Sequence, residues 1–196
     1  MNILVQELPE TVEVAGEAVP IRSDFRAALR VMLAYEDPEL TPQEKQLVML
    51  ANLYPELPDD VGAALEAGIR FLNGGEVGPD EDGPRLCSFS KDANFIFSAF
   101  RQTHQIDLQA AELHWFEFMA LFMDLGAETT FCSLVGLRKR VKSGKASKYE
   151  LQAARDLGDV FRVPEIDNRS PEERRQDDEF MKAVAEAKRR RAEARQ

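Results

Sequence analysis

Between Ser23 and Gly75, proline and glycine cut the chain into three stretches of helical apolar spacing, and this punctuation limits the fold more than any other feature. In "SDFRAALRVMLAYEDP", Phe25, Leu29, Met32 and Leu33 recur at helical spacing behind a Ser23 or Asp24 cap. Asp37-Pro38 ends that pattern, because a residue before proline is pushed out of the helical region. "TPQEKQLVMLANLYP" opens with Thr41 as N-cap, Pro42 at the first helical position and Glu44 at the third, a capping box with a proline start, and closes at Tyr54-Pro55. "PDDVGAALEAGIRFLNGG" starts at Asp59 or Asp60 and stops at Asn73-Gly74-Gly75. Isolated helices this short are marginal in water, so the pattern predicts antiparallel neighbours that bury one another's apolar faces.

The start of the chain has a different period. "TVEVAGEAVPI" alternates β-branched and polar residues on both sides of Ala15-Gly16, which predicts a hairpin of Thr11 to Val14 with Glu17 to Ile21. A lone hairpin is marginal, so Val12, Val14, Val19 and Ile21 are expected to lie on the helices, with Ile3 to Glu7 as a third strand. After the three helices, "GGEVGPDEDGPR" (residues 74–85) holds four glycines, two prolines and four acids, and reads as an exposed linker between two helical halves. Beyond it come "ANFIFSAFRQTH" behind Ser90 or Asp92, then "LQAAELHWFEFMALFMDL", then a helix from Thr129 or Thr130 through Val141, then one entered from Ser143-Gly144. The expected fold is mainly α: an N-terminal β-hairpin, a compact bundle of about six to seven helices in residues 1–164, and a charged helical extension in residues 165–196 outside the core. An apolar content of 44% is enough for that core.

The aromatic stretch "IDLQAAELHWFEFMALF" raises the question of chemistry, since it holds one of only two histidines. On a helix, Leu108, Ala111, Trp115, Phe118, Met119 and Phe122 form one broad apolar stripe, and His114 falls with Glu117 and Asp124 on the wet margin. Packing, not catalysis, is the expected role. Cys87, His104, His114 and Cys132 are scattered, with no close pair to preorganise a metal site and nothing to activate either thiol. Glycines 74 and 75 lack the Gly-Lys-Ser/Thr of a phosphate loop. The expectation is a non-enzymatic protein without a cofactor or metal.

A formal charge of −10 argues against general nucleic-acid binding, which needs a basic surface. No apolar run reaches the ~20 residues of a membrane span, and "MNILVQELPE" has no basic leader, so a soluble, intracellular protein is expected. The charge is lopsided: up to Pro84 there are 5 Lys/Arg against 17 Asp/Glu, whereas "GLRKRVKSGKASKY" gathers Arg138, Lys139, Arg140 and Lys142 with Lys145 and Lys148. Two interpretations stand side by side: a solvated helix end favoured by the helix dipole, or a docking face for an acidic partner or the acidic half of a second copy. In the C-terminal extension, Ser170, Pro171 and Glu173 open a long charged helix whose sparse apolar stripe includes Phe180 and Val184. That helix either stands alone or docks on a partner.

The hairpin ending in "PIRSDFR", then "LANLYPELPDD", "FSKDANFIFSAFRQTHQIDL", "LHWFEFMALF" and "GLRKR", in this order, resembles a bacteriophage family named after gene product fifteen. The resemblance covers residues 1–164 and carries no catalytic residues. It implies a gene in the tail module of long-tailed phages and prophages, near the genes for the major tail protein and the tape measure protein. It further implies a tail assembly chaperone, at work in the host cytoplasm, that coats the tape measure protein and recruits tail-tube subunits. A structural tip or completion protein retained in the virion tail is the alternative.

Overall fold

The computed structural model describes residues 2–75, 84–164, 172–176 and 179–182. Strands β1 (Thr11–Val14) and β2 (Glu17–Pro20) form the expected hairpin, with Val12 opposite Val19 and Val14 opposite Glu17. Ala15 (φ 50°) and Gly16 (φ 86°) both take left-handed backbone, which matches the twist of a two-residue hairpin turn. Val14 and Ile21 are buried, while Val12 and Val19 pack on the core from its edge, and β1 lies against the third helix. The third strand does not form. Val5 and Gln6 both donate back to the Asn2 carbonyl (3.2 and 3.1 Å), so Ile3 to Glu7 curls into a turn that leaves Leu4 and Val5 exposed.

Helices α1 (Phe25–Glu36), α2 (Pro42–Leu53) and α3 (Val61–Leu72) follow. Their caps are Asp24, the full Thr41/Glu44 box, and Asp60. The buried face of α1 is Phe25, Ala27, Ala28, Val31 and Ala34, so the expected stripe through Leu29 and Leu33 is rotated and Leu33 is 41% exposed. The small alanines let α2 come close, and α1 packs most extensively there. Gly68 serves the same purpose in α3: a Cβ at that position would lie 3.3 Å from Leu53 Cδ1. The α3 terminus closes through Gly75 N donating to the Arg70 carbonyl (2.8 Å).

The second half holds α4 (Ala93–His104), α5 (Trp115–Met123), α6 (Thr130–Lys142) and α7 (Lys148–Leu157), followed by a 3-10 turn, Gly158–Val160. Helix α5 begins seven residues later than the apolar pattern suggests. Asp107 takes the Gln109 amide on its carboxylate (3.0 Å), and the Ala111 amide returns to the Asp107 carbonyl (2.8 Å), so the chain turns there instead. Leu113 and Trp115 then pair with the entry of α1: Phe25 N donates to the Leu113 carbonyl (3.1 Å) and Trp115 N to the Ser23 carbonyl (2.7 Å). The core centres on Phe118, whose ring stacks with Phe25 and Phe100 (5.0 Å each), Trp115 (5.6 Å) and Phe122 (6.0 Å). In the C-terminal extension, residues 172–176 and 179–182 are helical, Phe180 is 66% exposed, and Arg174 Nη1 lies 3.9 Å from Glu39. Residues 76–83 of the expected linker, and Ser170, Pro171 and Val184, lie outside the described residues.

Candidate functional site: an apolar groove and the charged ends of the bundle

The groups with the most chemical potential are used for structure. His114 is not on the wet edge of α5; it is the N-cap. Its Nδ1 accepts from the Phe116 amide (3.0 Å), Nε2 donates to the Pro9 carbonyl (3.0 Å), and Glu117 reaches back to the His114 amide (2.8 Å). This is a capping box with an imidazole in place of the usual hydroxyl. His104 donates to the Leu121 carbonyl (2.9 Å) and sits edge-on to Phe100. Burial, followed by the charge of Asp92, pushes the Cys87 thiol up, the opposite of what a nucleophile or metal ligand requires. Among the described residues no cluster of His, Cys, Asp and Glu could hold a metal ion.

The basic cluster is divided by the fold. Arg138 is 0% exposed, and all five of its N–H groups are taken. Nη1 and Nη2 form a two-pronged pair with Asp92 (2.6 and 2.9 Å), and the remaining donors go to the carbonyls of Leu86 (3.0 Å), Val160 (2.8 Å) and Phe161 (2.9 Å). Arg138 is therefore a structural tie, withdrawn from any partner, and the expectation that it belongs to a docking face is wrong. The cause is its position one turn from the end of α6, on the side facing the start of α4. Asp92, one of the two expected caps of α4 with Ser90, takes the cap position but makes no cap bond, because its carboxylate is turned to Arg138 and the Ser88 amide (3.0 Å). Lys139 is exposed, Arg140 pairs with Glu150 (2.6 Å), and Lys142 donates to the Arg85 carbonyl (2.6 Å). Phe180 is exposed on the extension.

Glu36 makes a second tie, and this one joins the two halves. Its carboxylate, at the end of α1, accepts from Ser88 Oγ (2.6 Å) and the amides of Phe89 (2.8 Å) and Ser90 (3.0 Å), and it pairs with Arg85. The segment entering α4 is thereby held against α1 on one side and α6 on the other.

That arrangement leaves an open groove of about 440 Å³ between α1 and α4. It is lined by Leu29 and Leu33 of α1, Ile96 and Phe97 of α4, Leu108, and the core ring Phe118. Arg26 stands beside it, its guanidinium 4.5 Å above the Phe25 ring and bonded to the Leu108 carbonyl (2.8 Å). Sequence reasoning missed this groove because it assigned Leu29 and Leu33 to the core. The signal was the Ala27, Ala28, Val31 and Ala34 series, a competing apolar face made of small residues. From Phe25 to Leu33 the groove follows about 12 Å of helix, room for roughly two turns of a docked helix.

Two further surfaces flank the bundle. A cleft of about 670 Å³ between the hairpin and the α2–α3 connection is rimmed by Glu17, Glu56, Asp59 and Asp60. An apolar depression of about 380 Å³ lies on α6 and α7, with Arg155 and Arg162 on its lining. Among the described residues no helix is long and apolar enough to cross a membrane. Residues 4–162 match the family described as Bacteriophage Gp15 protein. Neither the curated proteins nor the solved structures give a match.

Proposed function

The chain belongs to the bacteriophage Gp15 family, and from that membership we propose that it is a tail assembly chaperone, a non-enzymatic factor that holds the tape measure protein before tail-tube subunits polymerise around it. The observation that carries the reading is the apolar groove between α1 and α4. A tape measure protein is long and largely helical, and while unassembled it offers apolar stripes to any groove of matching width. A groove lined by Leu29, Leu33 and Phe97 suits an amphipathic helix presenting side chains at i, i+3/i+4 and i+7. The net charge of −10 supports the role by keeping a complex with exposed apolar stripes in solution. Lys139, Arg140, Lys142 and Phe180, exposed on α6 and the extension, are secondary contacts in this proposal, with the major tail protein as the second partner. The complex forms in the host cytoplasm.

Co-expression with the neighbouring tape measure gene, followed by pull-down, tests the reading. Wild-type protein captures the tape measure protein, and Leu33→Asp with Phe97→Ser loses capture while retaining its melting transition. Mass spectrometry of purified particles then separates chaperone from component: a chaperone is absent from the mature virion. Its presence there at stoichiometric level establishes the structural tail protein instead.

A further inference from the structure

The depression on α6 and α7 has a counterpart on a separate surface of the same molecule. Its apolar lining is Val141, Leu151, Ala154 and Phe161, and Arg155 and Arg162 on its edge are exposed, with no acidic partner among the described residues. Within one chain, α7 packs on α6, α6 on α4, α4 on α5, α5 on α1, α1 on α2, and α2 on α3. The connection between α2 and α3 therefore belongs to helices whose main packing partners do not include α6 or α7. It presents Leu57, 62% exposed, between Pro55 and Pro58, whose fixed backbone angles hold the leucine out with little freedom to lose on docking. Glu56 and Asp59 flank it, both exposed and neither ion-paired among the described residues.

We propose that Leu57 of one copy seats in the α6–α7 depression of the next, with Glu56 and Asp59 set against Arg155 and Arg162. One surface is an acid-flanked apolar knob, the other a base-flanked apolar hollow, and each set of charges lacks a counter-ion among the described residues of its own chain. The occupant that satisfies both charge and shape is a second copy of this chain. Because knob and hollow are different surfaces, the contact is head-to-tail and repeats: each added copy offers a fresh end, giving an open chain or a ring of subunits instead of an isologous pair. The inference stands on these two surfaces and is independent of whether the groove between α1 and α4 holds a tape measure helix.

Sedimentation velocity on the full chain across a concentration series, at low and at high ionic strength, provides the test. Expected at low salt is a ladder of dimers, trimers and larger species that recedes as salt screens the rim charges. Leu57→Asp, and separately Arg155→Glu with Arg162→Glu, each weaken association by about tenfold or more. Circular dichroism melting confirms that these surface variants remain folded. Mixing the two variants is decisive: one retains an intact hollow and the other an intact knob, so together they form a one-to-one dimer that grows no further. Wild-type protein that stays monomeric at its highest concentration overturns the proposal. So does a mixture that remains monomeric, or association that neither variant weakens.

Discussion

Replacing Arg138 by alanine is the most demanding test of how the second half is held together. The substitution removes five hydrogen bonds at once, two of them to a carboxylate that is itself buried. Breaking one side of a buried pair costs about 3–5 kcal/mol, because the remaining charge loses its counter-ion and cannot reach bulk water. The Leu86, Val160 and Phe161 carbonyls lose donors as well, each worth about 1–3 kcal/mol if left unpaired. These do not simply add, since a void of guanidinium size lined by oxygens admits water. The expected total is about 4–5 kcal/mol, and at roughly 2–4 °C per kcal/mol for a chain of this size the melting midpoint falls by about 8–20 °C. Calorimetry on Arg138→Ala beside Lys139→Ala checks it, because the adjacent, exposed lysine should change stability by no more than about 0.5 kcal/mol. Arg138→Lys should fall between them, with three donors where five are needed. If Arg138→Ala melts within about 2 °C of the parent, the tie between α4, α6 and the turn after α7 contributes nothing, and the account of how the second half is held together is wrong.

His114→Gln should cost about 1 kcal/mol through loss of the cap, whereas His114→Asn, a good capping residue, should recover part of it; equal melting midpoints for all three refute the capping role. Trp115 is buried with its Nε1 donating to the Leu72 carbonyl (3.0 Å), so its fluorescence should be blue-shifted and poorly quenched by acrylamide, and Trp115→Ala should cost about 3–5 kcal/mol in chemical denaturation. Burial raises the Tyr54 hydroxyl from 10.0 to about 12, so the native state keeps this proton longer than the unfolded chain does. Stability from Tyr54 is thus complete below pH 10 and is lost as pH rises toward 12; alkaline denaturation should be shallower in Tyr54→Phe, with Tyr35, also raised by burial, supplying part of the slope that remains. Ending the chain after Pro164 should move the melting midpoint by less than about 4 °C, the upper range for ~1 kcal/mol in a chain of this size, because Phe180 and Met181 of the extension are exposed; a larger fall in calorimetry places that segment in the core.

Where local chemistry decides structure, the residues were sufficient. The Thr41/Glu44 box, the Asp60 cap, the Ala15-Gly16 turn and the Gly74-Gly75 stop all lie within a few positions of the backbone groups they serve. Periodicity failed where distant partners decide. Leu108 to Leu113 have helical spacing, yet the Asp107 turn and the pairing of His114 with Asp24 convert them to a connection. Arg138 and Lys139 are neighbours in a basic run, and nothing local separates them; Asp92, 46 residues away, does. The groove was hidden for a related reason: α1 carries two apolar faces, and only the position of α2 determines which is covered.

The Arg138 tie also sets an order of events during synthesis. Asp92 leaves the ribosome 46 residues ahead of its counter-ion, an interval of roughly 2–9 s at ordinary elongation rates. Two of the carbonyls that complete the arginine's shell follow 22 and 23 residues later still. Until then the start of α4 lacks the guanidinium and the carbonyl shell that hold it against α6. The nascent chain can complete this tie only when Phe161 has been added, well after α4 and α5 have left the ribosome.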